Sequence, residues 1–342
     1  MQQREHDLIL SQLARCYGME QTQLRCLTDN PEDGVYGFTR QGQEFVVKYT
    51  LETVRSFSTL QGQVDWINFL AAHGALVSRP VPSQQGGLIE QLPINDTFVS
   101  VVCYEHVPGA RPAVPTLTAE QWQIWGQTLG KLHALSTQYT PQPHGRIDHW
   151  NASATRDRRT IPADQTLVLE KFDALQRYFQ TLPQASHVYG LIHNDLQANN
   201  LFLDNGRLWV IDFDGCEYNW FIFDLATSLY FTLWERPVAQ SNAAFAAFVL
   251  ENILAGYARE YSIRAEWVER MPICLKRVEM YNYVAILAYN QVTVQSSLEA
   301  LPPKHRALLS RYRYNIEHDV PYLDFVHFLN ISRVIKEGTK AT

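Results

Sequence analysis

The segment GLIHNDLQANNLFLDNGRLWVIDFDG (190–215) sets a histidine, several carboxylates and several asparagines into a run of Leu, Ile, Val, Phe and Trp. A carboxylate taken out of water needs compensation, so these acids require protein donors or a ligand. His193, Asp195 and Asn200 lie close together, and Asp212 closes the next apolar run. Between them, Asp204-Asn205-Gly206 signals a hairpin, with NLFL as one strand and RLWVIDF as the other. A three-residue loop sets Leu203 opposite Arg207 and makes Asn200 and Asp212 diagonal neighbours on one face; a two-residue loop puts them on different faces. An amide oxygen and a carboxylate at one end of a hairpin suit a hard cation. Magnesium takes few carboxylates and keeps water and phosphate oxygens. Asp195 has the chemistry to accept the proton of an attacking hydroxyl.

The surrounding chain must position these groups. GVYGFTR (34–40) and EFVVKYT (44–50) alternate around a Gln-Gly turn and predict a hairpin. Residues 58–73 predict a helix with Leu60, Val64, Ile67 and Leu70 on one face, ended by Gly74. GGLIEQL and TFVSVVCYEHV predict two more strands, so the first hundred residues read as a sheet with one helix. The Pro- and Gly-rich stretch from Pro108 predicts a linker. Beyond it the period becomes helical. Thr118 and Gln121 have capping-box spacing, and further helices are predicted at 164–182, 221–234, 241–261 and 272–298. The segment 190–215 is then a strand-like island in a larger helical lobe. The run TRDRR (155–159) reads as a solvated loop, or as a flap facing phosphate or substrate. EMYNYVAILAYNQ (279–291) reads as core, or as the lining of an acceptor pocket with Glu279, Tyr281 and Tyr283.

Composition narrows the function. The chain has 342 residues, 46% hydrophobic and 19% charged, enough for one large or two ordinary domains with a sizeable core. A net charge of −6 gives no basic face for nucleic acid. Five scattered cysteines without a C-x-x-C pair point away from a disulfide framework or zinc site and towards a reducing compartment. No apolar run is long enough for a membrane span or signal peptide, so a soluble cytoplasmic protein is expected.

The spacing H-x-D-x-x-x-x-N, followed by D-F-x, resembles the phosphotransfer signature of the protein-kinase fold. With GKLHALS (130–136) and FDLA (223–226), the chain is similar to the aminoglycoside phosphotransferase and choline kinase branch of the protein-kinase-like superfamily. It looks most like a bacterial phosphotransferase enzyme family of unknown substrate. The resemblance implies an α+β bilobal fold. Residues 1–107 would form a small antiparallel-sheet lobe that binds nucleotide, and 108–342 a larger, mainly helical catalytic and substrate-binding lobe. It implies an ATP- and magnesium-dependent small-molecule kinase, whose acceptor hydroxyl belongs to an aminoglycoside, amino alcohol, homoserine-like compound or sugar. By the same resemblance Asp195 is the catalytic base, and Asn200 and Asp212 complete the catalytic set by binding magnesium. Lys48 holds the α- and β-phosphates, and adenine takes backbone bonds around Glu105 and Val107. Asp224 pins the catalytic loop, and His193 orients it.

Three positions depart from the family pattern. Gln63 occupies the helix slot of the glutamate that should pair with Lys48, and a neutral amide can orient that lysine without matching its charge. Asn194 stands where the family carries glycine. Gln197 stands where protein kinases place a Lys or Arg. The loop NPEDGVYGF has only Gly34 and Gly37 as phosphate-loop glycines. The two glutamines motivate a second reading, a nucleotide-binding regulatory pseudokinase; a third is a protein Ser/Thr kinase on the same fold, against which Gln197 counts.

Overall fold

A computed structural model describes residues 3–28, 34–95, 97–237 and 241–323. The N-terminal part of the phosphate-loop stretch, 30–33, lies outside them. Along the chain come α1 (Gln3–Cys16), β1 (Arg25–Cys26), β2 (Val35–Arg40), β3 (Gln43–Leu51), α2 (Phe57–Ala72), β4 (Pro80–Val81), β5 (Glu90–Ile94) and β6 (Thr97–Glu105). Then follow α3 (Ala119–Ser136), α4 (Trp150–Thr160), α5 (Thr166–Gln180), β7 (Tyr189–Ile192), β8 (Leu201–Asp204), β9 (Arg207–Val210) and β10 (Glu217–Trp220). The rest is helical: α6 (Ile222–Thr232), α7 (Asn242–Tyr257), α8 (Ala265–Val268), α9 (Met271–Tyr289) and α10 (Pro303–Glu317). Two compact units result. One comprises 1–110, 138–147 and 201–214, and the other 111–137, 148–200 and 215–342.

The first unit is built on an antiparallel sheet of order β1-β2-β3-β6-β4, with β5 also on β6. The β2–β3 turn uses Gln41 and Gly42, both at positive φ, as a two-residue hairpin turn requires. Strand alternation then sorts β3 into two faces. Phe45, Val47 and Tyr49 join a core with Ile9, Leu10 and Leu13 of α1. On the other face Leu60 and Val64 of α2 cluster with Val102, the partner of Lys48 across the β3–β6 ladder. Helix α1 is an addition to the single helix expected here. Its polar sequence hides a short apolar stripe at helical spacing. The β8–β9 hairpin also belongs to this unit, through Val77–Val210 and Ala110–Leu203 bridges, rather than to the helical part.

That hairpin forms with the shorter of the two loops the sequence allowed. Asp204 pairs with Arg207 and Leu203 with Leu208, so the loop is the two residues Asn205 and Gly206, both at positive φ. The three-residue register that aligned Asn200 with Asp212 on one face is not formed.

The second unit is mainly helical, with a β7–β10 ribbon pairing Glu217 with Ile192. Helices α3 and α7 pack backbone to backbone. A Cβ on Gly126 would lie 1.9 Å from the Ile253 carbonyl oxygen, and one on Gly256 would lie 1.8 Å from that of Gln123. The capping box of Thr118 and Gln121 starts α3 where the sequence placed it. TRDRR is helical, inside α4. Arg158 forks onto Asp173 at 2.7 and 2.8 Å, and Asp157 meets Arg277 at 3.1 Å, so the charges are paired along a helix instead of spread over a loop. Helix α9 ends at Tyr289, short of 298, where Asn290 caps it and Gln291 turns to positive φ. Helix α10 was not anticipated.

Candidate active site

In the first unit, strand alternation and the packing of α2 set Lys48 and Gln63 toward one cluster. Lys48 Nζ meets Asp212 Oδ1 at 3.2 Å and also pairs with Asp214 Oδ2. Arg55, in the turn between β3 and α2, donates through Nη1 to Asp214 Oδ1 at 2.6 Å and through Nη2 to the Asp214 carbonyl at 2.8 Å. Gln63, only 3% exposed, donates to Asp214 Oδ1 at 3.1 Å and accepts from Arg55 at 2.6 Å. Burial disfavours a charged Lys48, but Asp214 and Asp212 outweigh it and hold the ammonium above its ordinary range. Burial likewise pushes Asp214 up, yet Lys48 and Arg55 hold its carboxyl well below the usual carboxylate range. Asp212 takes positive φ, which aims its half-exposed carboxylate out of the strand path. Asp65, the alternative acid on α2, is occupied elsewhere by the Tyr139 hydroxyl at 2.5 Å.

Glu105 ends β6, and its backbone is engaged on both sides. Its N–H donates to the Arg79 carbonyl at 2.8 Å, and its carbonyl accepts from Ser78 Oγ at 2.6 Å. Val107 follows, 4% exposed.

In the second unit, the loop after β7 is fixed by a fully buried carboxylate. Asp224 on α6 accepts the backbone N–H of His193 at 2.9 Å and of Asn194 at 2.6 Å. His133 on α3 meets the same carboxylate at 3.1 Å and the Tyr257 hydroxyl of α7 at 2.8 Å. The glycine contact between α3 and α7 is what brings those two side chains into reach. Asn194 sits at φ 65°, a left-handed backbone that asparagine tolerates better than most residues, which accounts for its presence at a glycine position. His193, 1% exposed, lies within the loop, its Nδ1 3.3 Å from the Asp195 N–H. The Asp195 carboxylate is held at both oxygens: Gln197 donates to Oδ1 at 2.8 Å and Asn200 to Oδ2 at 2.9 Å. Asn200 donates through Nδ2, which leaves its Oδ1 as the atom chemically suited to a cation.

A cavity of about 40 Å³ opens beside Asp195, lined among others by Glu217, Asn219, Arg277 and Tyr281. That volume holds roughly one or two non-hydrogen groups, enough to anchor one functional group of a larger molecule. Burial pushes the Glu217 carboxyl up, against hydrogen bonds from Ser153 and Asn219. Burial and the carboxylates of Asp157, Asp195 and Glu217 push the Tyr281 phenol up to about 12. Of the α9 candidates only Tyr281 shares this cavity. Glu279 is bound to Asn315 at 2.8 Å, and Tyr283 donates to Gln165 at 2.5 Å.

Sequence reasoning missed Arg55, the contacts of Asp214, and the His133–Tyr257 support of Asp224. The motif GKLHALS contained His133, but its partners lie in α6 and α7. Arg55 precedes the N-cap Ser56 and carries no local signal.

A buried carboxylate pinning an aspartate loop, together with a strand lysine paired to an Asp-Phe-Asp motif, defines a chain of the protein-kinase-like class. The model of the Phosphotransferase enzyme family matches residues 32–268, and the chain belongs to that family and is a phosphotransferase. It is 28% identical over 322 residues to the amicoumacin kinase of Bacillus subtilis (strain 168), covering 93% of this chain and 94% of the relative. A solved amicoumacin kinase in complex with AMP-PNP, Ca2+ and Ami superposes with a TM-score of 0.86 at 29% identity, covering 94% of this chain and 96% of the other. A microcompartment-associated aminopropanol kinase shares the fold at a TM-score of 0.71 and 21% identity, over 91% and 95% of the two chains.

Proposed function

We propose that the chain transfers the γ-phosphoryl group of ATP to a hydroxyl of a small molecule, with magnesium. The observation that carries this reading is the Asp195 carboxylate, fixed by two side-chain amides and lining a small cavity. Asp195 orients the acceptor hydroxyl and takes its proton as the phosphoryl group moves in line. Lys48 holds the nucleotide phosphates. Asp212 and Asn200 are the magnesium donors, a carboxylate and an amide oxygen that match that ion's preference for few protein ligands. Bound magnesium would neutralise phosphate charge. The backbone around Glu105 and Val107 takes adenine. His193 and Asp224 keep the loop in shape.

The cavity also supports an acceptor class. Asp195 and Glu217 line it together with Asn219 and Tyr281, and an acceptor carrying an amine near its hydroxyl would set that amine against these carboxyl groups. The near full-length similarity to amicoumacin kinases supports a small molecule over a protein acceptor. The test is acceptor-dependent ADP release with Mg·ATP across amino alcohols, aminoglycosides, amicoumacin, amino acids and sugars, beside radiolabelled ATP with a cell lysate. Release with at least one amine-bearing acceptor is expected. Label entering only lysate protein would reverse the assignment.

A further inference from the structure

Helix α2 has no acid where the family pairs one with the nucleotide lysine, yet Lys48 is not short of negative charge. Asp214 receives three side-chain donors: Arg55 and Gln63 on Oδ1, and Lys48 on Oδ2. Gln63 stands between a cation and a carboxylate, accepting from the first through Oε1 and donating to the second through Nε2. An amide can do both. A glutamate has no hydrogen to donate when ionised and would repel Asp214. The glutamine is therefore matched to this arrangement, and the cluster closes with two cations and two carboxylates.

We propose that Asp214, clamped by Arg55 and Gln63, is the counter-charge that aims Lys48, so that Arg55 and Gln63 are positioning residues for phosphotransfer. The proposal rests on the nucleotide-binding reading above. It divides the two aspartates of the motif. Asp212 also meets Lys48, through Oδ1 at 3.2 Å, but its side chain is 41% exposed and open to a cation, whereas Asp214, with both oxygens held by protein donors, is committed to Lys48 and Arg55.

Calorimetric binding of AMP-PNP, with and without magnesium, tests this on wild type, Asp212→Asn, Asp214→Asn, Gln63→Glu and the exchange pair Gln63→Glu/Asp214→Asn. Asp214→Asn and Gln63→Glu are expected to weaken metal-free binding by about tenfold or more, the worth of a charge-assisted contact, and by a similar factor with magnesium. Asp212→Asn, which removes the weaker of the two Lys48 contacts, should cost metal-free binding less than Asp214→Asn does and should lose the magnesium-dependent part. The exchange pair restores the total charge and should recover affinity to within about threefold of wild type, the coupling expected of neighbours in one network. An Asp214→Asn protein that keeps full metal-free affinity, or an exchange pair no tighter than either single variant, overturns the inference alone. Wild-type protein that binds no AMP-PNP overturns the functional reading and this one with it. If Asp214→Asn does not fold, Gln63→Glu carries the same criteria.

Discussion

At the residue scale the candidate site depends on carboxylates given different environments. Asp195 and Asp214 are each held at both oxygens, Asp224 is fully buried on backbone and histidine donors, and Glu217 is buried with neutral donors only. Glu217 is the one whose cost is visible in stability. Its folded pKa is raised above the unfolded value of about 4.3, so its contribution is complete below that value and is lost as pH rises through the folded pKa. The isosteric Glu217→Gln keeps an oxygen for Asn219 and removes the buried charge. Its melting temperature relative to wild type should therefore climb between about pH 5 and pH 8. Parallel thermal curves across that range would show that Glu217 does not carry the strain assigned to it.

At the scale of elements, helices and strands with strong period or punctuation were legible. The β2–β3 hairpin follows from alternation around Gln41-Gly42, α2 from its apolar face and Gly74, and α3 from its capping box. Where short-range signals conflict with tertiary contacts, the sequence misleads. TRDRR is solvated as expected, with Thr155, Arg156, Arg158 and Arg159 exposed, but it is helix and not loop because its partners Asp173 and Arg277 lie outside the run, and α1 looks featureless because its stripe is short. The hairpin loop length was ambiguous because Asp204-Asn205-Gly206 fits two registers. Within the site, loop residues were readable from motif spacing, whereas Arg55 and Tyr257 act through contacts that no spacing encodes. The glycine contact between α3 and α7 has a direct consequence. Gly126→Ala forces a Cβ against the Ile253 carbonyl, and should cost about 2–3 kcal/mol or more as the helices part. Urea denaturation reads this cost. A change below about 0.5 kcal/mol, the range of ordinary surface substitutions, would mean the two helices do not need that approach.

At the scale of the whole molecule, the chain path ties the chemistry together. It leaves the second unit after Asn200, forms the hairpin of the first, and returns after Asp214. The loop that carries Asp195 and the motif that carries Asp212 and Asp214 are thus joined by one short segment, although the two units are otherwise assembled from distant stretches. Among the described residues no helix is long and apolar enough to cross a membrane. The proposed function gives Asp195 the role of meeting the acceptor hydroxyl. The most direct measurement is therefore the rate of phosphoryl transfer from Mg·ATP to an acceptor found by the panel, compared between wild type and Asp195→Asn. The account predicts a fall in turnover of about 10²–10⁴, the usual worth of a positioned base, with AMP-PNP affinity retained. Turnover close to wild type in that variant would contradict it.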